Sequence, residues 1–105
     1  MAWFTAGAQT NPAINAILAD TGALVDGGVS NITLIVSSTV ACAVVLEQRD
    51  ATNANNINSH IFPIAAMTPL KIDFPGVGFA PSERFRARLN AAITGQAQVS
   101  LFAFP

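Results

Sequence analysis

The sequence predicts an all-β fold: a single antiparallel β-sandwich or jelly-roll-like barrel of about seven to eight short strands. Apolar residues alternate or run in groups of about four to eight, and breaks rich in Gly, Pro and Asn separate them every 8–12 residues or so, at roughly sandwich spacing. A chain of 105 residues suffices for one hydrophobic core and is too short for two. Residues 1–105 are therefore expected to form one domain, in which residues 1–12 can serve as an N-terminal arm.

The N-terminal third leaves two alternatives open. Residues 12–19 fit either an amphipathic helix of two turns, with Pro12 near its start, or a strand. Asp20-Thr21-Gly22 and Asp26-Gly27-Gly28 resemble β-turns. These turns favour a strand or irregular structure over the helix.

The middle of the chain predicts three strands. Residues 31–36 alternate and are rich in β-branched side chains, and residues 40–48 follow after a short polar break, so the two runs are expected to form a hairpin. Residues 60–65 form a third strand, which Pro63 restricts to a sheet edge or a bulge.

The C-terminal third has the clearest alternation. Residues 70–74 predict a strand that Pro75-Gly76 ends, and Gly76-Val77-Gly78 reads as a turn. Residues 83–89 place Phe, Ala and Leu on one face and three arginines on the other. Residues 97–104 follow the turn at Thr94-Gly95 and are expected to pair with the arginine strand.

Charge excludes several classes of partner. Hydrophobic residues make up 51% of the chain and charged residues 10%, against a usual charged share of about 25%. Five basic residues and a net charge of −1 give no basic surface for binding nucleic acid or an anionic membrane. No segment approaches the roughly 20 apolar residues of a membrane helix. A surface so poor in charge fits one that neighbours cover in an assembly.

No catalytic or metal-binding motif is present, so the chain is expected not to be an enzyme and to need no cofactor. His60 follows Ser59, without a Gly-x-Ser-x-Gly sequence or an evident acid. Cys42 is the single cysteine and reads as a small buried hydrophobe. The carboxylates are too sparse for a calcium loop, and turn roles are favoured for Asp20 and Asp26.

Two features are candidate interfaces. Three of the five basic residues share one strand face, which is either a solvated face or a contact with acidic groups: Arg84, Arg86 and Arg88. Candidate acceptors, within the chain or in a neighbouring subunit, are Glu47, Asp50 and Asp73. Trp3 and Phe4 lie near the N-terminus, where they either fold back on the domain or anchor in a neighbour as an exchanged arm.

The segment Glu47-Gln48-Arg49-Asp50-Ala51-Thr52-Asn53, together with residues 83–89 and 95–102, resembles small bacteriophage capsid decoration (cement) proteins. The resemblance covers mostly the second half of the chain. It implies a β-sandwich or jelly-roll-like domain, favoured as a trimer, that binds the major capsid protein lattice and stabilises it without catalysis. The protein would then belong to the virion, assembled in the host cytoplasm.

The alternative is a small-ligand or carbohydrate-binding β-sandwich module. Such a module needs aromatic residues on an exposed concave face. The sequence has no Tyr and one Trp, and most of its seven Phe occupy alternating positions expected to face the core. An enzyme comes third, since it would have to rely on Ser59, His60 and an unidentified acid.

Overall fold

The computed structural model describes residues 3–104, which form eight β-strands and no helix. The strands are β1 (Trp3–Thr10), β2 (Ile17–Asp20), β3 (Gly28–Ser38), β4 (Cys42–Arg49), β5 (Asn56–Ile64), β6 (Leu70–Phe79), β7 (Arg84–Leu89) and β8 (Gln96–Phe104). The prediction of an all-β sandwich is confirmed. Within these residues there is accordingly no helix that could cross a lipid bilayer.

The strands pair in a nested, antiparallel order. β1 pairs with β8, β2 with β7, β3 with β6 and β4 with β5, so the chain follows one long hairpin. Pairing of β3 with β8 and of β4 with β7 joins these pairs into two sheets. Sheet I has the order β1-β8-β3-β6, and sheet II has the order β2-β7-β4-β5. Eight strands in two packed sheets of this order form a jelly roll.

Alternation of side chains builds the core between the sheets. In β7, Phe85, Ala87 and Leu89 are buried, as the sequence predicts. They meet the inward side chains of β3 and β8, among them Leu34 and Leu101, which are fully buried. Burial of each large apolar side chain contributes about 1.5–3 kcal/mol, so the alternation itself drives the two sheets together.

Two predicted strand pairings are wrong. Residues 31–36 and 40–48 do not form a hairpin, because β3 lies in sheet I and β4 in sheet II. Residues 97–104 do not pair with the arginine strand, since β8 lies between β1 and β3. In both cases the connecting segment crosses from one sheet to the other. Alternation identifies the buried face of a strand and leaves its neighbours undetermined.

The predicted turn at Gly76-Val77-Gly78 is also wrong, because β6 continues to Phe79. Gly76 adopts a φ of 65° where the β3–β6 register shifts, and its N–H donates to Asn31 Oδ1 at 3.0 Å. A left-handed φ suits glycine, and the extra length is absorbed as a bulge. Pro75 and Gly76 therefore bend an edge strand without ending it.

The N-terminal third forms strands. Residues 12–19 contain no helix, and β2 occupies Ile17–Asp20, as favoured. Of the predicted arm, residues 1–12, the first two lie outside the described residues, and Trp3–Thr10 form edge strand β1 of the chain's own sheet I. Exchange of this strand with another subunit remains a prediction.

The two sides of the sandwich differ. At β1 and β2 the sheets touch: a Cβ on Gly7 would overlap the backbone carbonyl of Leu18. β1 side chains also bond the β2 backbone, since Gln9 Nε2 donates to Ile17 O at 2.8 Å and Thr5 Oγ1 to Asp20 O at 3.3 Å. At the opposite side, a cleft separates β5 from β6.

The substitution Gly7→Ala should destabilise the fold by about 1–3 kcal/mol, because the added methyl group forces β1 away from β2. Urea denaturation followed by tryptophan fluorescence measures the loss, with Trp3 on the same strand as the reporter. Gly78→Ala is the matched control, since a Cβ there meets no atom within 4 Å. Equal midpoints for the two variants would contradict the contact.

Candidate functional site

The cleft between β5 and β6 is a cavity of about 180 Å³. Its floor is apolar and comes from the inward side chains of both sheets: Ile32, Leu46, Val77 and Phe85. Phe74 of β6 forms one wall, and three polar side chains of sheet II form the other. A mostly apolar concavity with a few convergent polar groups is the usual form of a small-ligand site.

The polar wall follows from the pleat of β4 and β5. Gln48 pairs with Asn58 and Leu46 with His60 across the ladder, so these side chains share the inner face. β5 is an edge strand, and Asn58 and His60 remain exposed there. An inward-facing polar residue can keep contact with solvent only where the opposite sheet does not cover it.

Hydrogen bonds fix the orientation of the polar wall. Gln48 Nε2 donates to Gly78 O at 3.2 Å and to Glu83 Oε1 at 3.0 Å, while Gln48 Oε1 accepts from Asn58 Nδ2 at 3.2 Å. Both donors of Gln48 are thus used. Asn58 keeps its Oδ1 and one N–H for another partner. Gln48 therefore positions Asn58, and Asn58 is the group able to meet a ligand.

Two aromatic rings, His60 and Phe74, line the cleft, and a third, Phe62, lies beside them. The ring centroids of His60 and Phe74 lie 5.6 Å apart, those of Phe62 and Phe74 lie 5.8 Å apart, and those of His60 and Phe62 lie 6.3 Å apart. Phe62 and Phe74 are half-buried and His60 is exposed. The rings thus connect the two sheets and present apolar surface beside the free groups of Asn58.

The arginine stripe lies on the outer face of sheet II, where it is paired within the chain. Glu47 Oε1 is 2.7 Å from Arg86 Nε and 3.3 Å from Arg88 Nε, and Arg84 Nη1 is 3.5 Å from Asp20 Oδ2. Glu47 is the one predicted acceptor that meets this stripe. Its contacts with a neighbouring subunit remain a prediction.

The other two predicted acceptors have partners elsewhere in the chain, and Asp73 accepts from Thr33 Oγ1 of β3 at 2.6 Å. Asp50 accepts from Thr52 Oγ1, Asn55 Nδ2 and the Ala54 N–H in the loop after β4, and these hydrogen bonds hold the pKa of its carboxyl well below the ordinary value. Asp73 lies 3.9 Å from Lys71 Nζ on the exposed face of β6.

Glu47 is a buried carboxylate on an outer face. Its side chain is only 2% exposed, although residues 3–104 form no further layer of secondary structure over sheet II. Burial alone would raise the pKa of Glu47, but hydrogen bonds from Arg86 and Asn56 and the charges of Arg86 and Arg88 outweigh it and lower the pKa. Glu47 is thus ionised and acts as the centre of this network.

Trp3 and Phe4 point to opposite faces of sheet I. Trp3 faces inward and stacks on Phe85, with centroids 5.7 Å apart. Phe4 faces outward, is 62% exposed, and lies 4.9 Å from Phe102 between centroids. Phe102 in turn stacks on Phe104, which is 54% exposed. We call the three outward rings, Phe4, Phe102 and Phe104, the phenylalanine patch.

The prediction that most phenylalanines occupy core-facing positions is confirmed for four of the seven: Phe79 and Phe85 are buried, and Phe62 and Phe74 are half-buried against the core. The other three form the phenylalanine patch on the outer face of sheet I. The strand at residues 60–65 begins earlier, at Asn56, so Asn58 enters the site unpredicted. The alternation of Asn58, His60 and Phe62 is the signal that could have identified this face.

The structure also places the single residues that were considered for catalytic, turn or core roles. Ser59 and His60 are consecutive in β5 and therefore point to opposite faces. Asp20 Oδ1 accepts from the Gly22 N–H at 2.8 Å, which confirms its turn role. Cys42 is half-buried and packs at the edge of the core. In residues 3–104, no three His, Cys, Asp or Glu side chains are grouped so as to hold a metal ion.

Comparison with known proteins identifies the fold. No protein-family model and no curated protein matches the sequence. The apo CBM1 module of BiXyn10A is similar in structure, with a TM-score of 0.53 and 8% identity over 90% of this chain and 70% of its own. The carbohydrate-binding module CBM36, solved with calcium and xylotriose, gives 0.52 and 16% identity over 92% of this chain and 85% of its own.

A third similar structure is an enzyme. The arabinose-bound MgGH51 α-L-arabinofuranosidase gives a TM-score of 0.55 and 13% identity over 91% of this chain, which spans only 19% of that protein. At these identities the likeness concerns the fold alone. The chain shares the β-sandwich architecture of these proteins.

The substitution Glu47→Gln should lower the free energy of unfolding at pH 7 by about 1.5–3 kcal/mol, because Arg86 and Arg88 lose a charged acceptor. Since the folded pKa is lowered, the contribution of Glu47 is complete above its ordinary value of 4.5 and is lost as the pH falls through the folded pKa. The gap between the two proteins should therefore close in acid. Urea denaturation across pH 3–7 measures it.

Asp73→Asn is the control for Glu47→Gln. Its ion pair is exposed, so its effect should stay within about 1 kcal/mol. A difference between wild type and Glu47→Gln that did not change with pH would be incompatible with a lowered pKa at Glu47.

Proposed function

We propose that the protein binds a short saccharide in the cleft between β5 and β6. The observation that carries this proposal is the combination of aromatic ring surface at the mouth with the free amide groups of Asn58 and the imidazole of His60 beside it. A sugar ring has an apolar C–H face, which packs on aromatic surface, and hydroxyl groups, which exchange hydrogen bonds with amide and imidazole groups. Both kinds of contact converge at this cleft.

The similar structures support the same ligand class. Two of them are carbohydrate-binding modules, one with bound xylotriose, and the enzyme holds arabinose. One fold supports many functions, so this likeness only adds to the argument from the cleft.

The size of the cleft limits what enters it. Its volume of about 180 Å³ is below the range of about 300–1,000 Å³ typical of drug-sized ligands. We therefore expect one sugar unit inside the cleft, with any further units outside it along the exposed surface of β5.

Calorimetric titration with arabinose, xylotriose and a panel of other short oligosaccharides tests the proposal. His60→Ala and Asn58→Ala should each weaken binding by about two- to tenfold, because each removes a hydrogen bond worth about 0.5–1.5 kcal/mol. The apolar floor stays intact in both variants.

Ser59→Ala is the matched control, because Ser59 lies on the same strand and faces away from the cleft. Its affinity should equal that of the wild type. Failure of every saccharide in the panel to bind, or equal affinities for the control and both cleft variants, would refute the proposal.

A second candidate function is the structural one, a capsid decoration protein that assembles as a trimer on the major capsid protein lattice of a virion. The phenylalanine patch favours it, because contiguous exposed aromatic rings are typical of protein interfaces. Jelly rolls occur in viral capsid proteins as well as in lectins, so the fold is compatible with both candidates.

Under this second candidate, Phe104→Ser should convert a trimer to monomers, because it removes an exposed ring from the patch. Light scattering over a dilution series measures the mass. Val25→Ser is the control, since Val25 is an exposed apolar residue in the loop between β2 and β3. A trimer that survived Phe104→Ser would exclude the patch as the interface, and a wild type that never trimerised would count against self-assembly of this kind.

A further inference from the structure

The four edge strands of the two sheets differ in how their free backbone groups are protected. β1 and β2 lie against each other at Gly7 and Leu18, and side chains of β1 bond the β2 backbone. β6 carries Lys71 and Asp73 and is bent at Pro75 and Gly76. Charges, proline and bulges are the devices by which natural edge strands avoid pairing with other chains.

β5 lacks most of this protection. It is nine residues long and contains no charged residue. Ile57 and Ile61 are 46% and 60% exposed. Pro63 protects the C-terminal end, and the register shift with β4 at Ile57 interrupts the N-terminal end. In residues 3–104, no strand lies beyond β5 in sheet II. The part of the strand around Ser59 and Ile61 is therefore an open edge.

The direction of the β5 backbone follows from its neighbour. The N–H of Asn90, just after β7, donates to Ala43 O at 3.0 Å, so the backbone of Ala43 faces β7. Ala43 pairs with Pro63, and this pair is consequently one that exchanges no hydrogen bonds. By alternation, Ile61 and Ser59 also direct their N–H and C=O groups away from β4. Both residues thus offer a donor and an acceptor at the open edge.

We propose that β5 pairs antiparallel with β5 of a second copy of this chain, about a two-fold axis that passes beside His60. In this register Ser59 of one copy lies opposite Ile61 of the other, and each such pair exchanges two backbone hydrogen bonds. The two-fold axis doubles this to about four hydrogen bonds in all. The two copies of sheet II become one continuous sheet across the axis.

Self-complementarity identifies a second copy as the partner. The register that satisfies Ser59 also satisfies Ile61, because the two residues are symmetric about His60. Because Ile57 lies at the register shift with β4, the regular pairing is confined to Ser59, His60 and Ile61. Within it, no Ser59 or Ile61 donor is left unused. The strand is uncharged, so the pairing brings no like charges together. These properties belong to the strand itself and need no other sequence.

The pairing uses the edge of β5, whereas the cleft uses its inner face, so this inference does not depend on saccharide binding. His60 of each copy would lie beside His60 of the other, at the mouths of both clefts. The two clefts of a dimer are then neighbours on the same side of the continuous sheet.

Ser59→Pro tests the proposal with Ser59→Thr as its matched control. Proline at position 59 removes the outward N–H and adds bulk at the edge. It removes no hydrogen bond to β4, because position 59, like Pro63, directs its backbone away from β4. Threonine keeps the N–H and has high β propensity. Sedimentation equilibrium over a dilution series should give a dimer for wild type and Ser59→Thr, and at least tenfold weaker association for Ser59→Pro.

Amide hydrogen exchange provides a second readout that also controls for folding. In the wild type the Ser59 and Ile61 amides should gain protection as concentration rises, while Phe62, which bonds to β4, stays protected throughout. Ile61→Lys should abolish the concentration dependence at Ser59. A wild type that is monomeric throughout, an assembly unaffected by Ser59→Pro, or protection at Ser59 and Ile61 that is independent of concentration would each overturn the proposal.

Discussion

The contact between β1 and β2 is the constraint on which the rest of the sandwich depends. Gly7 brings the β1 backbone onto the carbonyl of Leu18, and the side chains of Thr5 and Gln9 satisfy β2 carbonyls across the gap. Sheet I and sheet II are thereby closed along one side. Two sheets of four strands that meet along one side can remain apart along the other. The cleft and the open edge of β5 both belong to that second side.

The distribution of charge follows from the absence of a third layer. Among the described residues no element covers the outer face of sheet II, yet Val45 and Glu47 are buried there. Long arginine side chains lie across the face, since Val45 pairs with Arg88 and Glu47 with Arg86. Their apolar stems cover the strand while their guanidinium groups share the Glu47 carboxylate. Three of the five basic residues of the chain thus lie on its own sheet II.

The fold class, most strands and the faces of the strands could be predicted from the sequence. In the arginine strand, Phe85 and Arg86 alternate as the pleat requires, and the structure buries the expected face. Strand order could not be predicted, because the side-chain period of two reports a buried face and is the same for every possible neighbour. Gly76 illustrates the same limit, since one residue type serves a turn and a bulge equally well.

The candidate site was harder to predict than the fold. The sequence drew attention to Arg84 and Trp3 as unusual, and both have partners within the chain. His60 and Asn58 appeared ordinary because polar residues at alternate positions normally face solvent. They are informative only once β5 is known to be an edge strand whose inner face sheet I leaves open, and that depends on contacts distant in sequence.

β5 combines two kinds of recognition because its groups point in perpendicular directions. Side chains of Asn58 and His60 project from the sheet into the cleft, whereas the free N–H and C=O groups of Ser59 and Ile61 lie in the plane of the sheet. A ligand in the cleft and a strand at the edge would therefore occupy different space. Because of this pleat, the saccharide-binding test and the dimer test use different residues. Substitutions at Asn58 and His60 alter the cleft, whereas those at Ser59 and Ile61 alter the edge. A site of this kind requires only an edge strand whose inner face is uncovered and whose edge is unprotected. In this chain the sandwich closes at Gly7, on the opposite side, and this leaves β5 uncovered.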